Sequence, residues 1–151
     1  MNCTLYSHCA GGQAIPKVIQ KEIEASIKAI TVKPAPRAAP NIRDAFLAHL
    51  KSSGWSSEVA VSMDSDMTIT SMKDSVGLCM QTGNMARMYA DLIKLQTMYL
   101  DNAIKSAAII VPSQPMAALL GDNIAQATRL ERELAIFRKA YHVPTLIFAL
   151  Q

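Results

Sequence analysis

Cys3, His8 and Cys9 sit within the first nine residues and carry the sulfur and imidazole donors that zinc accepts. A tetrahedral zinc site needs four ligands; these three are irregularly spaced and have no fourth nearby, so the group reads as structural. Cys79, between Leu78 and Met80, has the setting of a small buried apolar residue rather than of an exposed, activated thiol. His49 and His142 have no evident partner, and Trp55 beside Gly54 reads as a core plug. No Ser/His/Asp arrangement can be drawn, and no glycine-rich loop could cradle a phosphate. Chemistry, if any, must come from polar residues that a fold brings together.

The 151-residue chain is expected to form one domain, residues 1–151, and its apolar half is enough for a sizeable core. Fifteen basic and twelve acidic residues leave +3, which permits a nucleic-acid partner without demanding one. The basic excess lies in the N-terminal helices and the proline loop between them. No apolar run reaches the roughly 18 residues of a membrane span, and no basic stretch precedes an apolar one at the N-terminus. A cytoplasmic protein without a membrane partner is the expectation. Three cysteines are too few and too scattered for a disulfide scaffold, and their odd count suits a reducing compartment.

Periodicity marks the elements. Ile15, Val18, Ile19, Ile23, Ile27 and Ile30 recur at helical spacing behind Pro16 and predict a helix over about 16–30. Pro34, Pro36 and Pro40 make the next stretch a loop. Asn41 is the expected cap of a second helix to about Ser52, with Ile42, Ala45, Phe46 and Leu50 inward. Three strands are expected next, over 58–63, 67–72 and 76–82, the last two joined by a turn at Lys73-Asp74-Ser75. Gly83-Asn84 introduces a helix to about Leu100 with a Met88, Leu92, Leu95 and Met98 stripe. Ala107–Val111 reads as a strand buried on both faces, 122–140 as a helix, and Val143–Leu150 as a final buried strand. The fold class is α/β: a mixed-sheet sandwich with an αβββαβ core flanked by helices.

The run Ile69–Gln96, and within it Gln81–Gln96 most specifically, resembles the BglII/BstYI type II restriction endonucleases of the PD-(D/E)XK nuclease superfamily. The resemblance extends from about residue 11 onward, through Asn41–Trp55, Ile109-Ile110-Val111-Pro112, Leu120-Gly121-Asp122-Asn123 and the Glu133-Leu134 region. It implies a restriction-endonuclease-like fold, a homodimer, double-stranded DNA as partner, and Mg²⁺ held by an aspartate and a glutamate with a glutamine two positions further on. Those positions fall on Thr70, Cys79 and Gln81, so only the glutamine is kept. A threonine hydroxyl is a weak ligand for a hard cation and a cysteine sulfur a mismatched one. The expectation is therefore a catalytically degenerate nuclease fold with no metal site and no cofactor, DNA-binding or regulatory in role. Two alternatives stand beside it. One is an active Mg²⁺-dependent endonuclease cutting at a GATC-centred site with a carboxylate relocated to Asp64, Asp66, Asp74 or Asp91. The other is a protein-interaction scaffold on the same fold. The DNA contacts that the resemblance suggests are Lys73 at the hairpin turn and Asn84 and Arg87 at the start of the next helix, where backbone N–H groups favour phosphate.

Overall fold

A computed structural model describes residues 1–151. Five strands form one sheet in the order β1-β7-β6-β5-β4, where β1 is Cys3–His8, β4 Ser71–Lys73, β5 Val76–Met80, β6 Ser106–Pro112 and β7 Thr145–Leu150. The three central strands β5, β6 and β7 are parallel, and the two edges run antiparallel to their neighbours. Every residue of these central strands is buried, as suits their apolar sequences, in which only Ser106 and Thr145, each at a strand's start, are polar.

Strand alternation sends successive residues to opposite helical layers. Val76, Leu78 and Met80 join Ala108, Ile110, Leu146 and Phe148 against one layer. That layer is α2 (Lys17–Lys28) and α3 (Ala39–Ser52), through Ile19, Ile23, Ile27, Ile42, Phe46 and Leu50. Cys79, Ile109, Val111 and Ile147 point the other way. They meet α4 (Met85–Leu100) and α6 (Ala127–Ile136), through Met88, Leu92, Leu95, Met98, Leu130 and Leu134. Each fully buried Leu, Ile or Phe contributes about 1.5–3 kcal/mol of transfer free energy. Strands β5 and β6 therefore present apolar side chains to both faces of the sheet, and α4, which joins them, covers one of those faces. No helix is long and apolar enough to cross a membrane.

Several boundaries depart from the sequence expectation. No strand is expected before the first helix, yet β1 pairs along β7 from Cys3↔Leu150 to His8↔Thr145, and the single turn α1 (Gly11–Ala14) comes next. The second helix starts at Ala39, with Pro40 in its first turn, so Asn41 lies inside the helix rather than capping it. Proline fits there because a first-turn N–H has no helical acceptor to lose. The expected strand 58–63 shrinks to β2 (Val59–Ala60), which pairs only with β3 (Thr68–Ile69) in a separate two-stranded sheet. The expected strand 67–72 is split at Thr70 into β3 and β4. The hairpin turn is as expected. Asp74 and Ser75 both take positive φ (48° and 61°), the primed geometry whose twist suits a two-residue hairpin. The helix expected over 122–140 is shorter, α6 with a 3-10 turn, Phe137–Lys139, behind it, and an unexpected helix, α5 (Gln114–Leu120), precedes it. Gly121, at φ 144°, ends α5 in a conformation that side chains resist.

Candidate functional site

A cleft of about 590 Å³ opens where β5 ends, between the start of α3, the β3 strand and the first turns of α4. Arg43, Glu58, Thr70, Gln81, Arg87, Asp91 and Lys94 supply its polar lining.

The break at Thr70 is what shapes it. The hairpin ladder runs through Lys73↔Val76, Met72↔Gly77 and Ser71↔Leu78, and then stops. Met80 consequently loses ladder partners on that side, and both of its main-chain groups are taken up by side chains. Its N–H donates to Thr70 Oγ1 at 3.0 Å. Its carbonyl accepts from Arg43 Nη1 at 2.9 Å. A buried peptide group must be paired, so Arg43 is fixed by the backbone's own requirement. The same Nη1 lies 3.5 Å from Thr70 Oγ1, and Nη2 reaches Glu58 Oε1 at 3.4 Å. Arg43 can do this because it comes directly after Ile42 on α3, at the edge of that helix's buried stripe of Ile42, Phe46 and Leu50.

Cys79 does not line the cleft. It is 1% exposed and packs in the apolar layer beneath α4. Burial pushes its thiol pKa well up, and the nearby Asp91 charge adds to this, against smaller opposing pulls from the Thr70 backbone, Lys94 and Arg43. The thiol stays protonated at neutral pH and is neither a nucleophile nor a metal-binding thiolate.

Gln81 and Asp91 form the opposite wall. Gln81 Oε1 accepts the Gly83 N–H at 3.0 Å, and its Nε2 donates to Asp91 Oδ2 at 3.4 Å. Lys94 Nζ donates to Asp91 Oδ1 at 3.1 Å. Asp91 is buried among the stripe residues, and that burial raises its carboxyl pKa against the lowering pull of Lys94, Gln81 and Arg43.

The candidate residues of the sequence scatter around this cleft. Thr70 and Gln81 line it, Arg87 stands exposed at its mouth, and Cys79 lies in the layer below. Asn84 caps α4, its Oδ1 accepting the Ala86 N–H at 2.8 Å. Lys73 is not a lining residue: its ammonium donates to both Glu22 oxygens at 2.8 and 2.9 Å and to the Ser53 carbonyl at 2.7 Å. Of the four candidate relocated acids only Asp91 lines the cleft, while Asp64, Asp66 and Asp74 are exposed elsewhere. His8 and Cys9 touch at one end of β1 and Cys3 begins its other end.

Sequence reasoning does not single out Arg43, Glu58 or Lys94. Asp91 carries a readable signal, since it stands three residues after Met88 and four before Leu95 on the buried stripe. Arg43 and Glu58 carry none, because a loop-closing contact between α3 and the end of β5 has no local periodicity.

The model of the family described as restriction endonuclease BglII/BglIII matches residues 3–150. The chain belongs to this family. No curated protein sequence gives a significant match. Among solved structures, the chain is similar to the crystal structure of restriction endonuclease BglII complexed with a DNA 16-mer. That likeness has TM-score 0.87 at 14% identity and covers 100% of this chain and 78% of that one. Free BglII is similar at TM-score 0.76 and 13% identity, covering 100% and 80%. At such identities the likeness speaks to the fold, which is the restriction-endonuclease-like α/β fold expected.

Mg²⁺, the ion implied for a BglII-type nuclease, asks for several oxygen ligands with carboxylates among them. In this member of the BglII family no group of three or more acid, histidine or cysteine side chains converges anywhere. The cleft's two carboxylates are each paired with a resident cation, Glu58 with Arg43 and Asp91 with Lys94. The donor set does not fit a hard divalent ion.

Proposed function

We propose that this chain is a BglII-type nuclease fold that binds double-stranded DNA without cutting it. The observation that carries the proposal is the chemistry at the two acid positions implied by the sequence resemblance. One is Thr70, whose hydroxyl is spent on the Met80 N–H, and the other is Cys79, a protonated thiol sealed under α4. Without carboxylates there, nothing holds the ion that would activate a water against the phosphate. Losing two negative charges also eases the approach of a polyanion. Arg87, with no ion-pair partner, and Asn84, whose Nδ2 remains free of the cap bond, stand at the N-terminus of a 16-residue helix and are the proposed backbone contacts. A homodimer accompanies this function; the exposed side chains of Ile93, Leu100 and Ile136 give it apolar surface to bury.

A second function is favoured by one observation, the contact between Asp91 and Gln81 in the cleft. There Asp91 would serve as a relocated acid in an active endonuclease. Incubating GATC-containing plasmid with the protein in Mg²⁺ and in Mn²⁺, beside a gel shift on a short duplex, separates the two. The non-cutting function gives a salt-dependent shift and intact plasmid. Linear products that disappear in Asp91→Ala would overturn it in favour of the second. Neither shift nor cleavage would leave the interaction scaffold.

A further inference from the structure

We propose that Arg43 is a fixed guanidinium standing in for a metal ion in this cleft, that it receives one phosphodiester of duplex DNA, and that Glu58 is its exchangeable counter-ion. This deepens the proposed DNA-binding function and rests on it. Beside its 3.5 Å approach to Thr70 Oγ1, the guanidinium makes two contacts that differ in kind. Its bond to the Met80 carbonyl, at 2.9 Å, satisfies a buried peptide group and anchors the side chain. Its contact with Glu58 is long, 3.4 Å, and the Glu58 side chain is 60% exposed. Such a pair is worth little and is screened by salt. A planar guanidinium held from one side presents its remaining N–H groups as a fork that matches two oxygens of a phosphate. Because the anchoring bond already restricts the side chain, little further rotamer entropy is lost when an anion arrives.

The surroundings favour an anion over a cation. Arg43, Arg87 and Lys94 line the same cleft against Glu58 and Asp91, and Arg87 makes no ion pair. An incoming phosphate would displace the exposed Glu58 and leave the pair of buried Asp91 with half-buried Lys94 intact. A divalent ion would have to enter beside a cation that cannot leave without stranding the Met80 carbonyl.

Fluorescence anisotropy with a labelled GATC-containing duplex, in EDTA and over a series of KCl concentrations, tests this. Arg43→Gln should weaken binding by about tenfold or more, the loss expected for a charge-assisted hydrogen bond. It should also reduce the salt slope by about one, the contribution of one phosphate contact. Glu58→Gln should do the opposite and tighten binding, because it frees the fork and removes a like charge. If wild-type protein binds no duplex at any salt, the DNA-binding function falls and this assignment with it. If wild type binds, but both variants keep its affinity and slope, only the assignment to Arg43 falls. Circular dichroism establishes that each variant is folded. Should Arg43→Gln fail to fold, Glu58→Gln decides alone: tighter binding supports the assignment, and unchanged or weaker binding overturns it.

Discussion

Suppose that Thr70→Asp and Cys79→Glu are made together, returning a carboxylate to each of the two positions. Arg43 Nη1 stands 3.5 Å from Thr70 Oγ1. An ion bound about 2.1 Å from an oxygen near that place, the usual Mg²⁺ distance, would lie within about 5.6 Å of the guanidinium. Charges of +2 and +1 so separated repel by about 1.5 kcal/mol in a water-like medium and about 6 kcal/mol at an effective dielectric of about 20. The double variant should therefore bind Mg²⁺ between about tenfold and about ten-thousandfold more weakly than a triple variant that also carries Arg43→Gln. Calorimetric titration with MgCl₂ reads the difference. Thermal melts should accompany it, because Cys79 is 1% exposed and a carboxylate buried there carries a desolvation cost of several kcal/mol. Equal Mg²⁺ affinity in folded double and triple variants would refute the idea that Arg43 bars the ion.

The same geometry sets three other outcomes. The folded-state pKa of Asp91 is raised above its ordinary 3.8, so its contribution to stability is present below about pH 4 and lost as pH rises through the folded value. Asp91→Asn should thus gain stability relative to wild type in thermal melts as pH rises above about 4, and a larger advantage at the acid end would contradict this. A side chain on Gly11 would collide with the Thr145 backbone, so Gly11→Ala should cost about 3 kcal/mol in urea unfolding, the upper end of overpacking losses. Lys73→Met leaves Glu22, whose carboxyl the Lys73 ammonium holds below the usual range, with only the Trp55 indole N–H as a partner. It should cost about 1–3 kcal/mol near neutral pH, less as pH falls through the depressed Glu22 value, and leave duplex affinity unchanged.

The legible and the hidden parts of the structure divide along physical lines. The β5–α4–β6 crossover and β7 stand out in the sequence because long apolar runs and a 3.6-residue stripe are local signals, and Asp74-Ser75 marks the turn. The edge strand β1 does not, since an exposed Leu5 and half-buried Cys3 and Tyr6 give no clean alternation. α5 is hidden behind Pro115, which sits in its first turn and reads as a breaker. In the cleft, Thr70, Gln81 and Arg87 are reachable from the resemblance alone. Arg43 and Glu58 are not. Arg43 owes its place to an unpaired Met80 carbonyl that exists only because the hairpin ladder stops at Thr70. Lys73 looks free at a turn, yet the fold carries Glu22 to it from 51 residues away.

The most direct test of a metal-free phosphate site is a crystal of the protein with a GATC-containing duplex, grown in MnCl₂ and measured at the manganese absorption edge. A phosphodiester within hydrogen-bonding distance of Arg43, with no anomalous peak in the cleft, is the expected result. A manganese peak between Asp91 and Gln81, with Arg43 turned away from Met80, would contradict it.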